Sequence, residues 1–289
     1  MVDSSARIHD RGYRRFEGTR SGPGAATLTL YRHSLMRALG VQRGARAKML
    51  PVISVAMVYL PAVAFVGIAA FLPKNVARRS LPSYSEYYGF VSAAIIVFVA
   101  FVAPEVLCPD RRSRLLGLYL ASPLTRGRYI VAKLGAVITV IAAVTLGPPL
   151  LLFIAYSLEG FGPSAGDFAL LLARIILSGV VLSVFYTALA LGAASLTDRR
   201  GFASTGIILA IVLSGAATGV LENLSASRWF RLLNLVFVPF RLVRNIYGAA
   251  PRRRDVGLPT WSLVLAFLAW TTLGLGVLIW RYRRLEVTR

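Results

Sequence analysis

The chain has 289 residues, a formal net charge of +21 and 56% hydrophobic residues. Its apolar residues are gathered into runs of about 20 or more, the length that crosses roughly 30 Å of hydrocarbon, which excludes a large soluble domain. The basic residues lie in short strings between those runs and not on one folded surface, so anionic lipid headgroups are nearer partners than nucleic acid, which is excluded as a partner.

Residues 1–24 are polar and rich in Arg and Gly, and read as a disordered basic tail. They carry no apolar core of the signal-peptide kind. From Ala25 to Val41, Leu28, Tyr31, Leu35 and Leu39 recur at helical spacing with Arg32, His33 and Arg37 between them. Residues 25–48 are therefore expected to hold an interfacial amphipathic helix on the inner leaflet. Leu30 and Met36 interrupt that stripe, which leaves a loose basic tail as the alternative.

Residues 49–289 form the membrane domain. Six spans are predicted: Met49–Leu72, Tyr87–Leu107, Tyr129–Leu158, Phe168–Leu196, Phe202–Leu221 and Trp261–Trp280. The fold class is an all-α membrane protein with six transmembrane helices, an N-terminal interfacial helix and re-entrant helices between spans five and six. Pro109 is expected to end the second span, and Pro148-Pro149 to kink the third. With the N-terminus inside, the cytoplasmic segments hold 22 Lys and Arg and the outer loops hold 10, so both termini are placed in the cytoplasm.

The last outer loop, Glu222 to Thr260, contains SRWFRLLNLVFVPFRLVRNIY, at once apolar and basic. Two short helices divided by Pro239 and dipping back into the membrane would account for it. The alternative is one amphipathic helix at the lipid surface, with Arg228, Arg231, Arg241 and Arg244 toward the headgroups.

A catalytic reading fails on inventory. The two histidines, His9 and His33, are both N-terminal, and neither HExxH nor a Ser–His arrangement is present. The single cysteine, Cys108, forms no intrachain disulfide and reads as a small residue at a helix end. The three lysines follow Ala47, Pro73 and Ala132, so no Walker-type lysine after glycine exists. No metal and no cofactor is expected in this chain; any ATP and Mg would be bound by a partner. Arg174, Glu105 and Lys133 lie within or near spans and are each placed within reach of an interface. Arg174 is set against Asp167 and kept as a possible substrate contact. Gly215 and Gly219 form a GxxxG in span five and are a candidate dimer interface.

Between spans two and three runs CPDRRSRLLGLYLASPLTRGRYIVAK. Arg111, Arg112 and Arg114 precede Leu115, Leu116, Leu118, Tyr119 and Leu120, then Ser122-Pro123 stops the segment and Arg126 and Arg128 lead into span three. An ordinary loop is shorter and is not leucine-rich. The segment reads as a short coupling helix that inserts into a groove of a cytosolic partner.

Those residues resemble the membrane subunit of type-2 ABC exporters, in an actinobacterial-like branch. Asp110-Arg111-Arg112, Leu115–Leu120, Ser122-Pro123, Arg126 and Lys133 carry the resemblance. It implies an ATPase subunit docked on Asp110, Arg111, Arg112, Arg114, Leu115, Leu116, Tyr119, Ser122, Pro123 and Arg126. It also implies a second permease subunit, identical or not, with a pathway between spans one, two and five of each half. The interfacial helix would match Ala25–Val41, and the re-entrant pair Ser227–Tyr247. Where many members have Glu-Arg-Gly-Thr, this chain has Arg112-Ser113-Arg114-Leu115, so arginines would serve recognition here. The expected activity is export of a hydrophobic or amphipathic substrate across the cytoplasmic membrane. A non-transporting membrane scaffold of the same fold is the alternative.

Overall fold

The structure is a computed structural model, and it describes residues 22–41, 45–113, 115, 117, 119, 124–164, 166–225, 227–250 and 258–284. Among the described residues all regular secondary structure is helical. In chain order the helices are α1 (Pro23–Ala38), α2 (Ala45–Phe71), α3 (Lys74–Ser80), α4 (Tyr84–Arg112), α5 (Arg126–Leu158), α6 (Phe168–Ala194), α7 (Arg200–Ser225), a 3-10 turn η1 (Arg228–Leu233), α8 (Phe237–Ile246) and α9 (Thr260–Arg284). Six of them, α2, α4, α5, α6, α7 and α9, are long and apolar enough to cross a membrane. They coincide with the six predicted spans.

The second span is longer than expected at both ends. Its start is set by a capping box: the Ser83 hydroxyl accepts from the Glu86 amide, and the Glu86 carboxylate accepts from the Ser83 amide at 2.9 Å. Its end is a correction. Pro109, expected to stop the helix, lies inside it, and the helix continues to Arg112. A proline withholds one amide and crowds the preceding turn. Here the last turn is held by side-chain contacts of Asp110 and Arg111 with three neighbouring segments, α1, α5 and the α6–α7 connection, so tertiary bonding overrides the local preference.

Pro148 and Pro149 are likewise inside an unbroken helix, the 33-residue α5. Pro149 leaves the Thr145 carbonyl without its usual donor. Tyr88 of α4 replaces it, its hydroxyl donating to that carbonyl at 2.9 Å. At 1.5 Å per residue α5 is about 50 Å long, so its ends emerge beyond the hydrocarbon.

Helix α1 begins at Pro23, which suits a first-turn position because its missing amide would be unpaired anyway. Its buried row is Leu30, Ser34 and Ala38, with Tyr31 and Leu35 partly buried beside it. The predicted stripe is thus rotated: Leu30 belongs to it, while Leu28 and Leu39 are exposed. The reason is its neighbour. α1 packs on α5 and α4, where Gly135 admits the Tyr31 ring and Thr139 Oγ1 bonds the Tyr31 hydroxyl at 2.9 Å.

The centre of the bundle is α4 and α5, half buried along their apolar windows, whereas α2, α7 and α9 lie at the periphery. α6 packs on α5 on one side and α9 on the other. The closest crossing is between α6 and α9: a Cβ on Gly192 would lie 2.6 Å from the Gly274 carbonyl oxygen, and one on Gly274 would lie 2.5 Å from that of Ala188. Small residues let two backbones touch, and this is where the chain uses them.

Between α7 and α9 there are two short helices, η1 and α8, in place of one surface helix. Pro239 is not their divider; it sits in the first turn of α8. The break is at Asn234, whose side-chain oxygen accepts from the Val236 and Phe237 amides, both at 2.9 Å. Arg231 and Arg241 are buried, against the surface-helix alternative.

Candidate functional site

The C-terminal turn of α4 brings together charged residues from most of the bundle. Asp110 is fully buried. Its Oδ1 lies 2.6 Å from Arg37 Nη1 of α1, and its Oδ2 lies 2.6 Å from Lys133 Nζ of α5. The Tyr129 hydroxyl donates to the same Oδ2 at 3.0 Å. Lys133 is 2% exposed and also donates to the Val106 carbonyl at 3.1 Å. A carboxylate removed from water needs such donors: two cations and a phenol meet its lone pairs.

Helical spacing explains the placement. Tyr129 and Lys133 are four apart on α5 and so share a face, and one turn of α4 puts the Val106 carbonyl beside Asp110. Lys133, one turn into the third predicted span, is expected to reach an interface; it is instead sealed in the core. Arg37 comes from a helix 73 positions away.

The next residue points the other way. Arg111 pairs with Asp198 at 2.8 Å and donates to the Ser195 carbonyl, tying α4 to the α6–α7 connection. Cys108 is buried inside α4, its Sγ 3.6 Å from the Thr197 carbonyl oxygen. Glu105, one turn earlier, pairs with Arg200 at the start of α7 at 2.8 Å. Arg126 at the start of α5 donates to the Arg283 carbonyl of α9 at 2.8 Å.

The segment after α4 rests on this assembly. Tyr119 is half-buried, its ring 5.8 Å from Tyr129, which in turn lies 5.6 Å from Tyr282 of α9. Burial, with help from the Asp110 carboxylate, pushes the Tyr119 phenol above its ordinary range, so it stays neutral. Arg112 is exposed, and Leu115 is half-buried. Of the predicted coupling residues, Asp110 and Arg111 are therefore engaged within the chain, Arg126 is partly so, and Arg112 faces outward. Arg114, Leu116, Ser122 and Pro123 lie outside the described residues.

The other predicted positions are elsewhere. Gly215 comes within 3.6 Å of the Asn234 amide nitrogen, measured from a Cβ built on it, and a Cβ on Gly219 would meet nothing within 4 Å. Both line a cleft at the opposite end of the bundle from Asp110. Arg174 is half-buried on α6 within electrostatic reach of Tyr247. Asp167, expected to hold it, takes a hydrogen bond from the Ser164 hydroxyl at 2.6 Å. Sequence reading missed the Asp110–Lys133–Arg37–Tyr129 cluster as a unit; the signal available was an acid at one end of the segment and a lysine one helical turn inside the next span.

Among the described residues no group of three or more His, Cys, Asp and Glu could hold a metal ion. No curated protein matches the chain. The family model described as "ABC-2 family transporter protein" matches residues 42–281. That match reaches all six apolar helices, the last of them to Arg281, and includes the α4–α5 connection. The chain therefore belongs to the ABC-2 transporter family: it is a multi-pass membrane permease of an ABC transporter, a kind of protein that works with an ABC ATPase subunit.

Proposed function

We propose that this permease is one half of an ATP-driven exporter of a hydrophobic or amphipathic compound, a drug, a lipid or a lipid-linked glycan. A separate ATPase docks on the connection between α4 and α5, binds the ATP and Mg, and performs all the catalysis. The chain sits in the cytoplasmic membrane with both termini inside. A second permease subunit completes the pathway between spans one, two and five.

The observation that carries the reading is the buried Asp110, shared by Arg37 and Lys133. It binds the ends of α1, α4 and α5 into one body on either side of the connection. A push on that connection then moves the three helices together, because opening the cluster would leave charges unpaired in a low dielectric, at about 3–5 kcal/mol. Arg111 and Arg200 carry the same displacement to α6 and α7. The exposed Arg112 supplies recognition without being needed for the cluster.

The test is co-purification with the ATPase followed by measurement of ATP hydrolysis. Arg112→Glu is expected to lower stimulation about tenfold while leaving the permease folded, since removing a charge-assisted contact costs about 1.5–3 kcal/mol. Unchanged association and stimulation in Arg112→Glu would remove the docking assignment. Association and hydrolysis with no ATP-dependent movement of any amphiphile in vesicles would favour the scaffold.

A further inference from the structure

α7 and α9 both pack on α6 but not closely on each other. Between them runs a groove of about 200 Å³ whose rims, Leu196, Ala210 and Leu273, are exposed. Its floor includes the crossing where Gly192 and Gly274 bring α6 and α9 into backbone contact. The lining is apolar, and its two polar side chains are bonded away from it. The Tyr186 hydroxyl donates to the Leu235 carbonyl at 3.4 Å, and Trp270 Nε1 donates to the Leu232 carbonyl at 3.0 Å. A drug-sized ligand needs about 300–1,000 Å³, so this groove takes a single chain and not a bulky molecule.

One end of the groove is closed and the other is charged. Leu235 and Trp270 close it near the middle of α9. From Trp270 the groove face of α9 continues through Gly274 and Val277 to Arg281 and Arg284, at alternating steps of four and three residues that keep them on one face. Arg281 lies about 16 Å along α9 from Trp270 at about 1.5 Å per residue, close to half of a hydrocarbon core of about 30 Å. The groove is thus one leaflet deep, with its arginines at headgroup level at the Asp110 end. Arg284 is exposed, its guanidinium 4.7 Å from the Trp280 ring, as suits a side chain at the membrane interface. Arg281 is half-buried, and its Nε has no hydrogen-bond partner among the described residues.

Lipid tails are as apolar as this wall, so filling it gains little from the hydrophobic effect. Selectivity comes from the charged end and from the width of the groove. A tail alone leaves Arg281 without an acceptor. A second copy of the chain would need a protrusion of single-chain width to enter. A phospholipid meets both features, and basic residues between helices at headgroup depth favour anionic lipids. We infer that this groove seats one acyl chain of an anionic phospholipid of that leaflet, with its phosphate on Arg281 and Arg284. The lipid fills the gap between α7 and α9, so α7, one wall of the proposed pathway, is supported by lipid as well as by protein. It is a resident of the fold and not the cargo.

The experiment uses the full chain purified in detergent with no ATPase present. It is titrated with phosphatidylglycerol or with phosphatidylcholine carrying the same acyl chains, and bound lipid is read by native mass spectrometry. Phosphatidylglycerol is expected to bind wild type more tightly than phosphatidylcholine. It is expected to bind about fivefold more weakly to Arg281→Gln and to Arg284→Gln, the worth of one arginine near an anionic headgroup. Ala210→Phe, which places a ring in the groove from an exposed position, is expected to weaken binding about fivefold or more, and covers the case in which Arg281→Gln fails to fold. Equal binding of the two lipids to wild type, or unchanged binding in either Arg284→Gln or Ala210→Phe, overturns the site. A wild-type dimer that Ala210→Phe splits with lipid binding unchanged overturns it too, and gives the groove to a second copy. Because no ATPase enters the measurement, its failure leaves the exporter reading standing.

Discussion

Lys133 Nζ and Asp110 Oδ2 lie 2.6 Å apart with both side chains within 2% of complete burial, on two helices joined by the segment proposed to receive the ATPase. The pair is worth more to geometry than to stability. Burying two charges costs several kcal/mol each, and mutual attraction little more than offsets it. Losing one partner is another matter. Asp110→Asn leaves Lys133 and Arg37 facing each other without an anion and is expected to destabilise the permease by about 3–5 kcal/mol. Lys133→Met is expected to cost less, since Arg37 still neutralises Asp110. Asp110→Asn with Lys133→Met should recover part of the loss of Asp110→Asn alone. Denaturation of the detergent-solubilised chain reads all three, and additive losses in the double variant would show that the pair is not coupled.

The α6–α9 crossing makes a sharper prediction because it involves no charge. Gly192→Ala drives a methyl to 2.6 Å from the Gly274 carbonyl oxygen, and Gly274→Ala does the same against Ala188. Backbone cannot yield as a side-chain tip can, so each is expected to cost about 1–3 kcal/mol or more. Gly219→Ala, with open space above it, should be neutral or stabilising by about 0.5–1 kcal/mol from helix propensity alone. Thermal unfolding of the three variants gives the ranking, and equal midpoints would refute the tight crossing.

The contrast between those glycines shows where the sequence was legible. The six spans stand out because each run exceeds the length any soluble core helix needs, and that property is local. The stretch before α9 is apolar and basic at once, and that local mix with its proline points to two short helices over one surface helix, though the break falls at Asn234 and not at Pro239. Gly215 and Gly219 announce themselves as a motif, whereas the close approach within the chain is made by Gly192 and Gly274, two single glycines in different spans with no spacing to link them. Asp110 and Arg37 are 73 positions apart, and nothing near either names the other. Pro109 illustrates the opposite failure: its local preference to end a helix is real, and contacts of Asp110 and Arg111 defeat it.

Asn234 is a second position where a side chain sets chain direction. Its Oδ1 meets two amides at the start of α8, a capping role usually worth about 1 kcal/mol. Asn234→Ala is expected to lose about that amount and, more locally, to speed hydrogen exchange at Val236 and Phe237. Asn234→Asp should restore protection, because the carboxylate accepts as well and favours the positive helix end. Unchanged exchange in Asn234→Ala would return the role of divider to Pro239.

The placement of the two bundle ends can be read directly by labelling. Arg112, at the end of α4, and Glu159, just past the end of α5, are both exposed. One belongs to the Asp110 end and the other to the end that carries the cleft. The native thiol does not interfere, since Cys108 is fully buried in α4. The excess of basic residues, 22 against 10, is the ground for the proposal that the Asp110 end is cytoplasmic. In intact cells a membrane-impermeant maleimide is therefore expected to modify Glu159→Cys and to spare Arg112→Cys, with the order reversed in inside-out vesicles. Arg199→Cys, on the connection that binds Arg111, should follow Arg112→Cys. If Arg112→Cys and Glu159→Cys react from the same side, α5 does not cross the membrane. If each reacts only from the side opposite to that expected, the cytosolic ATPase has no access to the α4–α5 connection, and the docking assignment falls with it.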